Sequence, residues 1–291
     1  MPVHDELGIR MKTFYEQIPK TKLMRRTPVA IRIDGKVFHT FTRGFDKPFD
    51  EIFIKSMQAT MKYLCENIQG CVLGYTQSDE ITLILVDYKN LNSDAWFDYE
   101  VQKMCSIAAS MATMAFNREF EKRVDDFELN HLVNLDGCIE YDCDANRQLA
   151  EVYYNAIEKG AMFDARVFNI PKEEVTNLIY WRQLDATRNS IQMVGQANFS
   201  HKQLHGKSCN MIQDMLMTEK NINWNDFPTH QKRGSCCIRE DYFEERVVHN
   251  AQGSPDELEG IQRTHWIIDT EIPIFKSEGR EYIDKLIFIG E

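Results

Sequence analysis

The chain has 291 residues, 43% of them hydrophobic and 27% charged, the balance of a globular protein with room for one large or two modest domains. No apolar run approaches the ~20 residues of a membrane span, and Met1-Pro-Val-His-Asp-Glu-Leu7 lacks the basic and apolar regions of a secretory signal, so a cytoplasmic location is expected. The formal net charge of −11 argues weakly against a nucleic-acid partner, yet nine cations fall between Lys12 and Lys47 while acid gathers in 119–158 and 240–260.

Residues 1–28 mix a helical pattern with basic side chains and end at the Thr27-Pro28 break. Val29 to Asp34 is apolar and β-branched and is expected to be a strand; a polar loop follows from Gly35 to Pro48. Phe53, Met57, Met61, Leu64, Cys65 and Ile68 recur at helical spacing. Cys71–Thr76 and Ile81–Val86 are expected to form a hairpin around a tight Gln-Ser-Asp turn. A long helix is expected from about Ser93, as N-cap, to Phe120, with a small-residue stretch at Ser106–Thr113 suited to close packing on a sheet. Residues 121–160 are acidic and helical in character, like an inserted arm, and Phe163–Phe168 is expected to be the fourth strand.

The order β-α-β-β-α-β is the split ferredoxin-like arrangement, which is also the palm of many polymerases. The fold class is therefore α+β: a catalytic core over 29–171, then a helical and mixed portion over 172–291 packed with it as one unit. That second portion is expected to carry short strand-like pieces, such as Trp266–Asp269, and a turn-rich loop at Asn250–Pro255.

Eight cysteines are scattered without a Cys-x-x-Cys pair, as expected of reduced structural thiols. His201, His205 and Cys209 have a spacing that would align three zinc ligands on a helix, but Gly206 interrupts it and a fourth ligand is not evident.

Two acidic turns stand out. Asp34-Gly35 ends the first strand, and Ser78-Asp79-Glu80 lies at the hairpin. Carboxylates at the mouths of neighbouring strands, with a backbone carbonyl between them, can hold divalent cations against a nucleoside triphosphate, which points to nucleotidyl transfer. Side chains alternate along a strand, so Asp79 and Glu80 cannot both face one site; Asp79 is expected to be the ligand and Glu80 its support. The loop after Gly35 is not a P-loop, but Lys36, His39, Arg43, Lys47 and its backbone N–H groups can cradle phosphates.

Arg32-Ile-Asp-Gly35, Phe38-His39-x-Phe41, Lys47-Pro48, Tyr75-x-Gln-Ser-Asp-Glu80, Trp96-Phe97, Phe163-Asp-Ala-Arg166 and Trp181-Arg-Gln183 occur in the order shown by the tRNA-His guanylyltransferase superfamily. Leu204-x-Gly206 and Lys232-Arg-Gly234 continue the likeness, which covers about residues 29–240. The resemblance implies nucleotide addition to the 5′ end of tRNA in the 3′-to-5′ direction. It implies two Mg²⁺ ions on Asp34, Asp79 and the Gly35 carbonyl, with Glu80 supporting. The triphosphate of ATP, GTP or another nucleotide would lie on Lys36, Val37, Phe38, His39, Lys47 and Ser78. Lys22, Arg25, Arg26, Arg182, Arg188 and Lys207 would contact tRNA, and a homotetramer is expected.

One stretch departs from the pattern. Guanylyltransferases proper carry His-Ile-Asn-Asn shortly after Trp-Arg-Gln, associated with ATP-dependent activation of the 5′ phosphate. Here Thr187-Arg-Asn-Ser190 stands there and only Asn189 matches. The chain therefore resembles the guanylyltransferase-like proteins, which restore truncated tRNA 5′ ends against a template. Untemplated G addition to tRNA-His is the nearest alternative. A nucleotide cyclase is more distant because Gly-Gly-Asp-Glu-Phe is absent, and a noncatalytic tRNA-binding module would have no need of both acids.

Overall fold

The computed structural model describes residues 5–135, 138–248 and 257–290; the first four residues and the expected loop at Asn250–Pro255 lie outside them. Six strands form one antiparallel sheet in the order β6-β1-β3-β2-β7-β8: β1 Val29–Gly35, β2 Cys71–Gln77, β3 Glu80–Leu85, β6 Phe163–Asn169, β7 Ser235–Val248 and β8 Glu257–Asp269. A separate small hairpin pairs β4 Leu132–Leu135 with β5 Cys138–Tyr141. The first four sheet strands reproduce the ferredoxin-like order. The C-terminal pieces expected as short strands are instead one long hairpin, β7–β8, added at the β2 edge by pairing of Gly74 with Cys237.

In chain order the helices are α1 Glu6–Met11, α2 Phe38–Phe41, α3 Glu51–Asn67, α4 Val101–His131, α5 Asp144–Lys159, α6 Lys172–Asn198, α7 His201–Leu204, α8 Cys209–Lys220, α9 Thr229–Arg233 and α10 Glu281–Ile287. Alternation along β1 divides the core. Val29, Ile31 and Ile33 pack under α3 and α4, whereas Ala30 faces the α6 and α10 side with Val175, Ile179, Ile283 and Ile287. β3 is central and buried on both faces, which is why Ile81–Leu85 reads as an almost continuous apolar run. A Cβ on Gly74 would lie 2.6 Å from the Cys65 sulfur and 2.8 Å from Met61 Cγ, so a glycine lets α3 sit close on β2. A third cluster joins α6 to α8 through Val194, Ile212, Leu216 and Trp224.

Two boundaries differ from the sequence reading. The long helix begins at Val101 rather than Ser93, because Trp96–Tyr99 forms a tight turn with Phe97 and Asp98 at positive φ. The Ser93 hydroxyl accepts instead from the Asn90 N–H at 3.0 Å. That helix also runs on to His131, so residues 121–131 of the expected arm extend it. After the β4–β5 hairpin the arm returns as α5, which buries Tyr153 and Ala156 in the main core, with the Tyr153 ring edge-on to Phe120 and Phe127. The α7 helix ends at Leu204, and Cys209 starts a new helix, so the His201–His205–Cys209 spacing does not lie on one helical face.

Candidate active site at the hairpin end of the sheet

Strand register brings the acids together. Asp34 pairs with Glu80 on β3 and with Asp164 on β6, and directly opposed residues of antiparallel strands share a face. Asp79 occupies the turn itself, after Ser78 at φ 49°, and its carbonyl accepts the Gly35 N–H at 3.0 Å. The two acidic turns are thereby tied backbone to backbone. A Cβ on Gly35 would sit 2.3 Å from the Phe38 ring, which is wedged among Phe41, Phe53, Phe116 and Phe163; only glycine fits.

Burial pushes the Asp34 carboxyl above the usual carboxylate range, and the charges of Glu80 and Asp164 add to it against the opposing pull of Arg166 and Arg32. Burial also raises Asp79, where the Asp34 charge adds to the rise and hydrogen bonds from its own backbone and from Ser78 resist it. Two carboxyls whose ionisation is disfavoured by burial and by neighbouring acids suit a divalent cation, whose charge favours both anions. Among the described residues no three His, Cys, Asp or Glu side chains converge as a metal cluster. The donor set expected from the sequence is two carboxylates and the Gly35 carbonyl; Mg²⁺ ordinarily takes its remaining ligands from phosphates and water, so these residue types would fit the ion.

Glu80 does something different. Its two carboxylate oxygens are held by Arg32 and Arg182, each at 2.7 Å, with both the Glu80 and Arg182 side chains buried. Trp181 stacks beside both guanidinium groups, at 5.4 and 4.5 Å. Glu80 is committed to this clamp, which anchors the start of β3 and hence the Asp79 turn.

A cleft of about 440 Å³ opens beside the turn, lined by Gly35, Val37, His39, Lys47, Ser78 and Asp79 among others. The triphosphate residues expected from the sequence therefore converge, with two qualifications. The Phe38 side chain is core, so only its backbone can face a ligand, and Lys36 is exposed outside the lining. The N–H groups of Val37, Phe38 and His39 have no acceptor among the described residues.

Sequence reasoning missed Asp50, whose signal was an N-cap position before α3. It is buried at the cleft wall and accepts from Tyr153 Oη at 2.7 Å, from the Phe53 N–H at 2.8 Å and from the Asp46 N–H at 3.0 Å. Burial nevertheless raises its carboxyl. The inserted α5 thus braces the loop that carries Lys47. Tyr153→Phe is expected to cost about 1 kcal/mol of stability, read as a lower urea midpoint, because Asp50 keeps its two backbone donors. A smaller pocket adjoins the cleft, and Asn189 and Ser190 line it together with Asp50, Ser78 and Met193.

Apart from Lys207, the expected tRNA contacts fall into two groups, Lys22, Arg25 and Arg26 on Asp87 and Asp98, and Arg182 and Arg188 on Asp185, and most of these cations are already paired. Arg182 is buried on Glu80 and Asp185, a correction to its assignment as an RNA contact. Lys22 is bonded to Asp98, and Arg25 to the fully buried Asp87 at 2.7 Å as well as to Asp98 at 3.2 Å. The Arg26 N–H also donates to Asp87, at 2.9 Å. Arg188 is held by Asp185, while Lys207 is exposed and without an ion pair among the described residues. Among the described residues, four of the nine cations between Lys12 and Lys47, namely Lys20, Lys22, Arg25 and Arg32, are thus spent on ion pairs, because acids distant in sequence fold onto them.

Residues 8–171 match the family model described as tRNAHis guanylyltransferase. The chain is 28% identical over 225 residues to the tRNA(His) guanylyltransferase of Saccharomyces cerevisiae, covering 72% of this chain and 82% of the yeast protein. It also superposes on a bacterial tRNA(His) guanylyltransferase-like protein solved with ATP (TM-score 0.76, 39% identity, 98% of this chain and 100% of that one). The form solved with GTP gives a TM-score of 0.68 at 35% identity, with the same coverage. With a family match over more than half its length and the whole fold shared, this chain belongs to the tRNAHis guanylyltransferase family of nucleotidyltransferases.

Proposed function

We propose that the protein is a template-dependent 3′-to-5′ nucleotidyltransferase that restores truncated 5′ ends of tRNA. The observation that carries this reading is that Gly35 and Asp79, tied by the Gly35 N–H to Asp79 carbonyl bond, line one cleft with Lys47, Ser78 and His39, with Asp34 adjoining Gly35 on β1. Asp34, Asp79 and Gly35 would hold two Mg²⁺ ions, which when bound supply Lewis acidity for the attacking 3′-hydroxyl and charge neutralisation for the leaving phosphate. Lys47, Ser78 and the unpaired loop N–H groups orient the triphosphate, and the Arg32–Glu80–Arg182 clamp keeps the Asp79 turn in place. The substitution of Thr187-Arg-Asn-Ser190 for the activation motif, so near the cleft, supports repair over G addition. The structural neighbours solved with ATP and GTP are themselves guanylyltransferase-like proteins, which agrees with it.

Guanylylation of tRNAHis is the second reading, favoured by the names of several sequence relatives. The exposed Leu7, Phe14, Tyr15 and Ile18 near the N-terminus support self-association as the tetramer expected above. The test offers a 5′-truncated tRNA, as monophosphate and as triphosphate, with Mg²⁺ and all four nucleotides. Extension that follows the opposing 3′ strand is expected; G addition regardless of pairing would establish the second reading, and no extension would refute both.

A further inference from the structure

At the opposite end of β2 from the catalytic turn lies a second cleft, of about 520 Å³, between the β2–β3 strands and α10. Seven residues of β2 separate the two ends, roughly 20 Å at the rise of a strand. Three cations line it: Lys89, Arg239 and Lys285. None of them has a carboxylate partner among the described residues, in a chain whose acids outnumber its bases 45 to 34. Two are held by aromatic rings instead: Arg239 lies 4.9 Å over Trp266 and Lys285 5.5 Å over Tyr282. Stacking of this kind orients a cation without neutralising it.

Asp94 is the one carboxylate in the lining, so the cleft keeps a net positive charge. Its floor is apolar, formed by Val72, Leu286 and Ile289. The volume falls in the range of small-molecule sites. Oriented cations around an apolar floor match a ligand with an anionic end and a flat, weakly polar body.

We propose that this cleft is a nucleoside-phosphate subsite separate from the catalytic cleft, with phosphate on Lys89, Arg239 and Lys285 and the base on the apolar floor. The same chemistry is presented by a free nucleotide and by a nucleotide of a single RNA strand. The inference does not depend on the proposed reaction, since none of these residues belongs to the catalytic cleft.

The test measures equilibrium binding of ATP and of a short 5′-phosphorylated oligoribonucleotide to the full chain carrying Lys47→Ala and Asp79→Ala, which disable the catalytic cleft. Binding is expected to survive there, to weaken with added salt, and to fall at least tenfold on further Arg239→Glu or Lys285→Glu substitution. Binding of ATP would assign a free-nucleotide site; binding of the oligonucleotide alone would assign a strand contact. Lys89→Gln, at an exposed position, gives a variant whose melting temperature should not move while its affinity drops. No binding of either probe, or binding indifferent to all three substitutions, would overturn the proposal.

Discussion

Asp34→Ala and Asp79→Ala are each expected to reduce nucleotidyl transfer by about a thousandfold or more, because each removes half of the carboxylate set proposed for the metal ions. The discriminating feature is that the fold should not suffer. Both carboxyls sit above their ordinary range, chiefly from burial and partly from each other or neighbouring acids. A carboxyl raised in the folded state adds stability at low pH, and that contribution is lost as pH rises through its folded value. Above its folded value each of these acids is ionised at a cost to folding, so Asp79→Asn should there melt at the same temperature as the parent or higher. The gap between the two melting temperatures should close on acidification. A variant that loses activity and stability together at neutral pH would mean that Asp79 is a structural residue.

Glu80→Ala should show the opposite pattern. Its removal leaves the buried Arg182 and the half-buried Arg32 without their shared carboxylate, and breaking a buried pair in this way costs about 3–5 kcal/mol. Arg182→Ala should be milder in stability, since Glu80 keeps Arg32. It should still slow turnover by about a hundredfold through a loosened Asp79 turn, as expected when reacting groups shift by about 1 Å. Arg182→Lys keeps the charge but not the fork that also reaches Asp185 at 2.9 Å, so it should not restore the parent rate. Chemical denaturation and single-turnover extension of a 5′-truncated tRNA separate the two effects. Full activity in Arg182→Ala would remove the clamp from the account.

The Asp34 and Asp79 turns were legible because both signals are local: a β-branched run cut by an acid and a small residue needs no knowledge of the rest of the chain. The order of the first four strands followed from alternating helical and strand periodicity in the same way. The Ser93 boundary was misplaced because Phe97 and Asp98 adopt positive φ, which tertiary packing of Trp96 and Tyr99 imposes and propensity does not suggest. Asp50 was passed over because its value comes from Tyr153, 103 residues further along the chain. The β7–β8 hairpin was read as fragments because its strands are mixed in polarity, and only their pairing with each other, from Cys236 with Asp269 to Val248 with Glu257, makes them one element.

By itself the sequence determined the palm-like order, the pair of acidic turns and the family, since each rests on contiguous residues or on motifs in a set order. Only the tertiary structure decided how the charges are used. Ion pairs form between residues far apart in the chain, so composition cannot distinguish a cation free to meet phosphate from one already paired. Lys22, Arg25 and Arg182 read as RNA contacts and are bonded to Asp98, Asp87 and Glu80, while Lys89, Arg239 and Lys285 drew no notice and stand without carboxylate partners among the described residues. Proximity in space, set by the packing of the sheet, assigns each charge its partner.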